Sequence, residues 1–328
     1  MDLSIPYYKD MSRISNSNIG WFLKYGPTYL HKKLTGQIPD EESATLSRGT
    51  MIHESILQPE EFDKDYVVFE GKHPQSTQQE KFCKAYLQSL ELEPNKKAID
   101  AYSAVYSIRG KSEDKILTEA KALLEDMSDY IKSLQDGRTI ISKYDLRKCT
   151  EVQTNIAQHK FASKLLNDSA WEEHHEFHIN WRYKVQHLNE IKCKSLLDCV
   201  KFDFEHKKCQ IVDLKTTSHI WTFEESMHTF DYCRQLCYYW MAVQWYLRNE
   251  RGEDPDNWEV EFFIVAIDNS YLKDSSQIRV FEIKQNDVLA RLDTIDNALW
   301  QIGWHMMNNS WDHSMEYYEG TGCETLDL

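Results

Sequence analysis

The sequence predicts an α/β fold in which a mixed central β-sheet is flanked by helices and preceded by a helical N-terminal extension. Helical apolar spacing dominates the chain up to about residue 170, and strand-like alternation begins at about residue 175. A long apolar helix then separates two groups of strands, an order typical of α/β and α+β domains. We therefore expect one domain over 1–328, made of a mainly helical part at 1–170, a sheet core at 171–308 and a C-terminal tail at 309–328.

The N-terminal part is predicted to begin with a helix over 12–33. Ser15 or Ser17 can cap it, because a serine hydroxyl accepts a hydrogen bond from an unpaired N–H group of the first turn. The Gly26-Pro27 pair is expected to end this helix, since proline has no N–H group and clashes with the preceding turn.

Three more helices are predicted before the sheet. The segment GTMIHESILQ at 49–58 is a short helix that Pro59 should end. Residues 63–112 carry no clear pattern and include a polar, turn-rich stretch that we expect at the surface. Two amphipathic helices follow, near 113–135 and 143–167.

Five segments have the alternation and the β-branched or aromatic content that are typical of strands. They lie at 176–185, 195–204, 209–217, 260–269 and 277–285. The long helix between the third and fourth strands is predicted over 231–249, and a last helix over 286–308.

The charge balance excludes two broad classes of partner. The chain of 328 residues has 38 Lys and Arg against 53 Asp and Glu, a net charge of −15. A protein this acidic is not a generic nucleic-acid coat or a binder of anionic membranes, although a local basic groove can still hold DNA. No stretch reaches the ~20 apolar residues of a membrane span, so we expect a cytoplasmic protein without a membrane partner. Its eight cysteines form no C-x-x-C pair and are expected as reduced thiols.

The segment SLLDCVKFDFEHKKCQIVDLKTT at 195–217 carries the clearest chemistry. Alternate residues of a strand share a face, so Asp213 and Lys215 point the same way. Asp198 lies on the preceding strand, and a turn at 205–208 lets the two strands pair as a hairpin that brings the carboxylates together. A buried charged pair is costly without a partner, and a divalent cation is a natural partner for the aspartate.

Two carboxylates and a lysine suit phosphodiester hydrolysis. Mg²⁺ prefers oxygen ligands, polarises the phosphate and lowers the pKa of an attacking water. A lysine beside it positions or deprotonates that water, or neutralises charge in the transition state. The alternative is a structural Asp-x-Lys salt bridge, with Asp198 as an unrelated turn acid.

This arrangement resembles the PD-(D/E)XK nuclease fold, in which an Asp and an Asp-x-Lys lie on a hairpin. Gln235 and Tyr239 stand at i and i+4 of the long helix and resemble the Q-x-x-x-Y motif of RecB-type nucleases. The segment RGTMIHESILQPEEF at 48–62 resembles the G-x-x-x-H segment of the same nucleases, with His53 as the histidine. The alternatives are an ordinary aromatic core helix and a histidine that only packs.

The likeness extends over nearly the whole chain. ISNSNIGWFLKYGPTYL at 14–30 is similar to the opening of exodeoxyribonuclease VIII (RecE-type) nuclease domains, and NNSWDHSMEYYEG at 308–320 is similar to their last segment. The resemblance therefore implies that 1–328 is a single nuclease domain.

The resemblance also implies roles for individual residues. The catalytic residues would be Lys215, Asp213, Asp198, Gln235 and Tyr239. The metal ligands would be His53, Asp198, Asp213, the backbone carbonyl of Leu214, and Glu176. The DNA contacts would come from Gln235, Tyr239, Thr216, Thr217 and Arg182.

The function that the resemblance implies is a Mg²⁺-dependent DNA exonuclease of phage or prophage recombination, with Mn²⁺ able to substitute and no iron–sulphur cluster. It would degrade duplex DNA from an end, 5′ to 3′, and leave 3′ single-stranded tails. A single-strand annealing recombination protein would be its partner in the cytoplasm of a bacterial host. Relatives form homo-oligomeric rings, and a basic channel would be lined here by Lys160, Arg182, Lys184, Lys192, Lys194 and Lys201.

Two other functions stay open at this point. The chain can be an inactive DNA-binding or assembly module on the same fold, although its intact Asp/Asp/Lys set argues against that. It can also be a DNA-repair nuclease of other specificity, such as a structure-dependent endonuclease, which would not need a DNA end.

Overall fold

The chain forms two compact units. Unit 1 comprises Met1–His53 and Val152–Leu328, and unit 2 comprises Glu54–Glu151. The computed structural model describes residues 5–39, 44–167, 170–184, 190–270 and 277–323. Among the helices in these ranges, none is long and apolar enough to cross a lipid bilayer.

Unit 1 begins with helix α1, Asn16–Leu34, and helix α2, Ala44–Leu57, whose last turn belongs to unit 2. The Ser15 hydroxyl caps α1 as predicted, by accepting a hydrogen bond of 3.3 Å from the backbone N–H of Asn18. The predicted end at Gly26-Pro27 is confirmed as a break in the helix. Gly26, with a φ of +79°, is not helical, and a second helical segment follows it up to Leu34. Proline fits the first turn of this second segment, because a first turn needs no N–H donor.

Unit 2 is mainly helical, including most of the stretch for which the sequence shows no clear pattern. Its core is built around the buried aromatic side chains of Phe82, Tyr102 and Tyr130. The predicted helix near 113–135 is broken at Met127 into two. The elements are α3 (Pro59–Asp65), β1 (Tyr66–Val68), α4 (Thr77–Gln88), α5 (Pro94–Val105), α6 (Glu113–Asp126), α7 (Ser128–Leu134), β2 (Thr139–Ile141) and α8 (Lys143–Gln158), whose last turns belong to unit 1. Strands β1 and β2 pair in parallel.

The second half of unit 1 carries the predicted mixed sheet, which is confirmed. Helix α9, Ala162–Asn167, precedes it, so the predicted helix near 143–167 is two helices. Within the described residues the sheet has the order β3-β4-β5-β6-β7, with β5 and β6 parallel and the other neighbours antiparallel. The strands are β3 (Glu172–Tyr183), β4 (Ile191–Asp203), β5 (Lys208–Thr217), β6 (Glu259–Asp268) and β7 (Ile278–Ile283).

Helix α11, Tyr232–Glu250, packs on one face of the central sheet. Parallel strands need a crossover connection, and α11 makes it between β5 and β6. Residues 236–243 of α11 are all buried, as expected for a helix packed on all sides. They pack with Val200, Phe202 and Ile211, which share one face of β4 and β5. The connection from β5 to β6 contains α10 (Phe223–Thr229) and α11 (Tyr232–Glu250). Three helices follow β7, namely α12 (Gln285–Leu289), α13 (Leu292–Asn308) and α14 (Met315–Glu319).

Candidate functional site

The hairpin of β4 and β5 places two carboxylates opposite each other. Its ladder ends at the pair of Cys199 and Val212, so Asp198 and Asp213 are the next residues on the two strands. Opposed residues of an antiparallel pair project from one face, here the face that α11 covers. The Asp198 carboxylate accepts a hydrogen bond of 2.6 Å from the backbone N–H of Leu214, which ties the two strands together beyond the ladder.

Asp213 is a buried carboxylate whose charge is balanced by Lys215. Its side chain is 1% exposed, and in the part of the chain that the structure describes neither oxygen has a hydrogen-bond partner besides the ammonium of Lys215. The ammonium of Lys215 lies against it as an ion pair. Burying a carboxylate in this state is costly. The site therefore suits a cation that binds through oxygen.

Burial and neighbouring charges shift the pKa values of these groups. Burial raises the pKa of Asp213 to about 6, with Lys215 opposing the shift and Asp198 adding to it. Burial likewise raises the pKa of Asp198, against the effect of Lys215 and the Leu214 N–H. Burial by itself would lower the pKa of Lys215, but the two carboxylates outweigh it and raise that pKa above its ordinary value. Lys215 is therefore a cation at neutral pH.

His53 reaches the same cluster from helix α2. Its Nδ1 lies 3.8 Å from Oδ2 of Asp198, and 23% of its side chain is exposed. Burial, helped by the Lys215 cation and opposed by Asp213, lowers the pKa of the imidazole to about 4. At neutral pH the ring is uncharged, which is the form that binds metal ions.

Gly49 explains how α2 approaches the hairpin so closely. A side chain at this position would place its Cβ 3.1 Å from Oγ1 of Thr216 on β5, which is tighter than ordinary contact. Gly49 and His53 are four residues apart and so share a face of the helix. The G-x-x-x-H spacing therefore has a structural reason, because the glycine admits the helix and the histidine faces the acids.

The predicted side-chain ligands are neighbours, but their ligand atoms are not all close enough to hold one metal ion. The ligand atoms of His53, Asp198 and Asp213 do not all lie within 4.8 Å of one another. A cation shared by all three therefore requires at least one side chain to rotate.

The side chains of Gln235 and Tyr239 meet on α11 as their spacing predicts. Nε2 of Gln235 donates a hydrogen bond of 2.7 Å to the phenol oxygen of Tyr239. Burial raises the pKa of Tyr239 well above its ordinary value, and Asp213 and Asp198 add to the shift. The phenol is therefore neutral, and both carboxylates are close enough to raise its pKa.

Glu176 lies opposite Asp198 across the β3–β4 pair, at a position where the backbone is irregular. Its φ is +47°, in the left-handed region, while the strand pairs on both sides of it are regular. Such a conformation costs about 1–3 kcal/mol in a non-glycine residue and occurs often at functional sites. Register therefore places Glu176, Asp198 and Asp213 in one row across three strands, and the metal-binding role of Glu176 stays a prediction.

The structure brings only some of the predicted DNA contacts to this cluster. Thr216 lies beside Gly49, and the Thr217 hydroxyl accepts a hydrogen bond of 3.0 Å from the backbone N–H of His219. Arg182 forms an ion pair of 3.1 Å with Glu190. It lies six residues beyond Glu176 on β3, roughly 20 Å away at the rise of an extended strand. Arg182 is therefore not part of the cluster.

Two of the lysines expected to line a basic channel are buried instead. Nζ of Lys194 donates hydrogen bonds of 2.6 Å to the backbone carbonyls of Tyr7 and Asp10. Nζ of Lys201 donates one of 2.9 Å to the carbonyl of Lys164. Both ammonium groups stabilise neighbouring backbone, so the expectation that they contact DNA is wrong.

A second cluster, which the sequence did not reveal, lies on the other face of the hairpin. Glu173, His175 and Cys199 have ligand atoms within 4.8 Å of one another. The Glu173 carboxylate already contacts His175 at 2.6 Å and Lys201 at 3.5 Å. Both oxygens of the Glu173 carboxylate thus already have a side-chain partner. Register alone pairs His175 with Cys199, and no spacing within either strand indicates it.

Comparisons with known proteins support the fold only. No protein-family model and no curated protein matches this chain. Its structure is similar to the crystal structure of the "Putative exonuclease" from Eubacterium rectale, with a TM-score of 0.52, 15% sequence identity, and coverage of 96% of this chain and 91% of that chain. The structure of SSO0001 matches with a TM-score of 0.24 and 12% identity over 74% of this chain and 90% of that chain, and this likeness carries no argument. The chain thus shares a mixed α/β fold with the Eubacterium rectale protein.

Proposed function

We propose that this chain is a Mg²⁺-dependent DNA exonuclease that hydrolyses phosphodiester bonds of duplex DNA from an end. The observation that carries the proposal is the convergence of Asp198, Asp213, Lys215 and His53 at one end of the β4–β5 hairpin. The structural similarity to the "Putative exonuclease" from Eubacterium rectale supports the same reaction class.

The donor set of the cluster fits a hard cation. Asp213 offers two buried oxygens that have no hydrogen-bond partner among the described residues besides the ammonium of Lys215. Asp198, the carbonyl of Leu214 and neutral His53 would complete the ligands, with Glu176 as a further candidate. Mg²⁺ held there would supply positive charge at the phosphate and would make water easier to deprotonate, and Mn²⁺ would accept the same ligands.

The protein's own groups would orient the strand and stabilise charge. Lys215 stays protonated, so its ammonium stabilises negative charge that develops on the phosphate oxygens. The ammonium lies 5.1 Å from the centre of the Tyr232 ring, a cation–π contact that limits where it can move. Tyr239 accepts its hydrogen bond from Gln235 and so keeps its own proton for an acceptor such as a phosphate oxygen.

Finer features of the proposal come from the resemblance of the sequence. We extend the proposal to membership of the PD-(D/E)XK nuclease class and to 5′ to 3′ digestion that leaves 3′ tails. We also propose that the protein acts in phage-type recombination in a bacterial cytoplasm. A single-strand annealing protein and a homo-oligomeric ring belong to the same proposal. A ring is compatible with a net charge of −15 only if its channel is locally basic.

Digestion of linear and closed-circular duplex DNA tests the proposal directly. We expect Mg²⁺ to support degradation of an end-labelled linear duplex, no degradation in EDTA, and an intact circle under the same conditions. Cutting of the circle would instead indicate an endonuclease. Tight DNA binding without cleavage in any divalent metal would indicate an inactive module.

His53→Ala is expected to raise the Mg²⁺ concentration needed for half-maximal cleavage by about 10- to 100-fold. The reason is that a neutral imidazole 3.8 Å from Asp198 is lost while both carboxylates remain. Mg²⁺ titrations of the cleavage rate measure the effect, and His206→Ala, in an exposed turn, is the matched control. A large fall in thermal stability with an unchanged Mg²⁺ requirement would assign His53 to packing.

A further inference from the structure

A cleft between the start of α1 and the turn before α11 adjoins the candidate active site. Its volume is about 500 Å³, and the walls include Trp21, Tyr25, Lys24, Phe230 and Arg234. This volume is within the range of about 300–1,000 Å³ that is typical of ligand sites. None of these five residues belongs to the set that the proposed mechanism uses.

Aromatic rings in the cleft are exposed, although burial would be favourable for them. Phe230 is 60% exposed and Tyr25 is 51% exposed. The Phe230 ring stacks on Tyr232 at a centroid distance of 5.7 Å, with planes 24° apart. The Lys215 ammonium lies 5.1 Å from that same Tyr232 ring. The ring of Tyr232 therefore separates Phe230 in the cleft from Lys215 in the candidate site.

Two cations accompany these rings. Nζ of Lys24 lies 5.0 Å from the centre of the Tyr25 ring. The Arg234 guanidinium donates to the Asn16 carbonyl at 3.1 Å and lies so close to Gly20 that a Cβ there would be 3.0 Å from it. Glycine at this position therefore lets the guanidinium lie flat against α1.

The acid in this cleft is already neutralised. Asp231 pairs with Arg234 at 3.6 Å and with Arg291 at 2.8 Å. Arg291 lies outside the lining, whose charged residues are Lys24, Arg234 and Asp231, so two positive charges face one negative charge there. The cleft is locally basic in a chain whose net charge is −15.

We propose that this cleft binds single-stranded DNA next to the scissile phosphate, with bases stacked on Phe230 and Tyr25 and phosphates held by Lys24. The proposal rests on the proposed nuclease function, because the cleft is assigned to the strand that the cluster would cut. Exposed aromatic faces alternating with cations are the pattern by which proteins bind single strands without reading sequence. A duplex is a poorer ligand, because its bases are already stacked on each other.

Binding of a fluorescent oligo-dT to the full chain in EDTA tests the cleft without any cleavage. We expect the wild-type protein to bind oligo-dT more tightly than a duplex of equal length. Phe230→Ala should weaken oligo-dT binding by about 5- to 150-fold, whereas Phe230→Tyr, which keeps a ring, should not. Lys24→Gln should lower the slope of log affinity against log salt by about 0.7. Trp300→Ala removes an exposed aromatic residue outside the cleft and should change nothing.

The outcomes separate this proposal from the nuclease proposal. Loss of oligo-dT binding in Phe230→Ala, in a protein that cleaves nothing, would retain the cleft and overturn the nuclease. Normal cleavage with wild-type oligo-dT affinity in both Phe230→Ala and Lys24→Gln would overturn the cleft and retain the nuclease. Circular dichroism and thermal melting confirm that each variant is folded, as expected for substitutions at exposed positions.

Discussion

Replacing Lys215 with alanine is expected to reduce Mg²⁺-dependent cleavage by about 10²–10⁴-fold. The ammonium lies against Asp213 and over Tyr232, and the pKa shift keeps it charged at neutral pH. No other described lysine side chain forms an ion pair with either carboxylate of the hairpin, so no neighbour can replace it. The rate of release of an end label from a linear duplex measures the loss.

Lys208→Ala is the matched control for this experiment. Lys208 starts the same strand, and its ammonium pairs at the surface with Glu259 at 3.1 Å. Exposed ion pairs contribute little to stability, so this variant should cleave at the wild-type rate. A Lys215→Ala variant that stays within tenfold of the Lys208→Ala rate would remove the lysine from the mechanism. Thermal melting of both variants excludes a loss of folding as the cause.

Asp213→Asn is expected to lower cleavage by about 10³-fold or more. The substitution keeps the shape of the side chain but removes the charge of a buried carboxylate that pairs with the ammonium of Lys215. A neutral amide is a much weaker ligand for Mg²⁺ than a carboxylate. We therefore expect calorimetric titration with Mn²⁺ to show weaker binding in parallel with the lost activity.

Asp203→Asn is the control for the aspartate. Asp203 ends β4, where its carboxylate accepts hydrogen bonds from the N–H groups of Glu205 and His206. An asparagine oxygen accepts the same bonds, so activity and Mn²⁺ affinity should be unchanged. A wild-type rate or wild-type Mn²⁺ affinity in Asp213→Asn would show that the metal assignment is wrong.

The two variants also separate metal binding from charge stabilisation. Lys215→Ala should retain Mn²⁺ affinity or increase it, because the ammonium competes with a cation for the Asp213 carboxylate. Asp213→Asn should lose both Mn²⁺ affinity and cleavage. Equal loss of Mn²⁺ affinity in both variants would mean that Lys215 acts by holding the site together rather than by stabilising charge.

The placement of Asp198, Asp213 and Lys215 on one face of the hairpin was predictable because it depends on short repeating patterns. A strand repeats every two residues, so the spacing of Asp213 and Lys215 determines that they share a face. A helix brings residues four apart to one face, which accounts for the pairs Gly49–His53 and Gln235–Tyr239. A turn at 205–208 was enough to predict that Asp198 returns beside Asp213.

Burial and long-range pairing were not predictable in this way. Lysine is mostly found at protein surfaces. The ammonium groups of Lys194 and Lys201 are nevertheless buried and donate hydrogen bonds to backbone carbonyls of segments far away in the sequence. The cluster of His175 and Cys199 depends on the register between β3 and β4, which neither strand specifies alone.

The sequence by itself determined which residues share a strand face or a helix face, because those relations follow from backbone geometry over a few residues. Only the tertiary structure decided which faces meet, which charges are buried, and that residues 63–112 form helices of a separate compact unit. The physical reason is that burial and electrostatic environment depend on packing between segments far apart in the chain. Patterns over a few residues do not determine how strongly such distant segments pack.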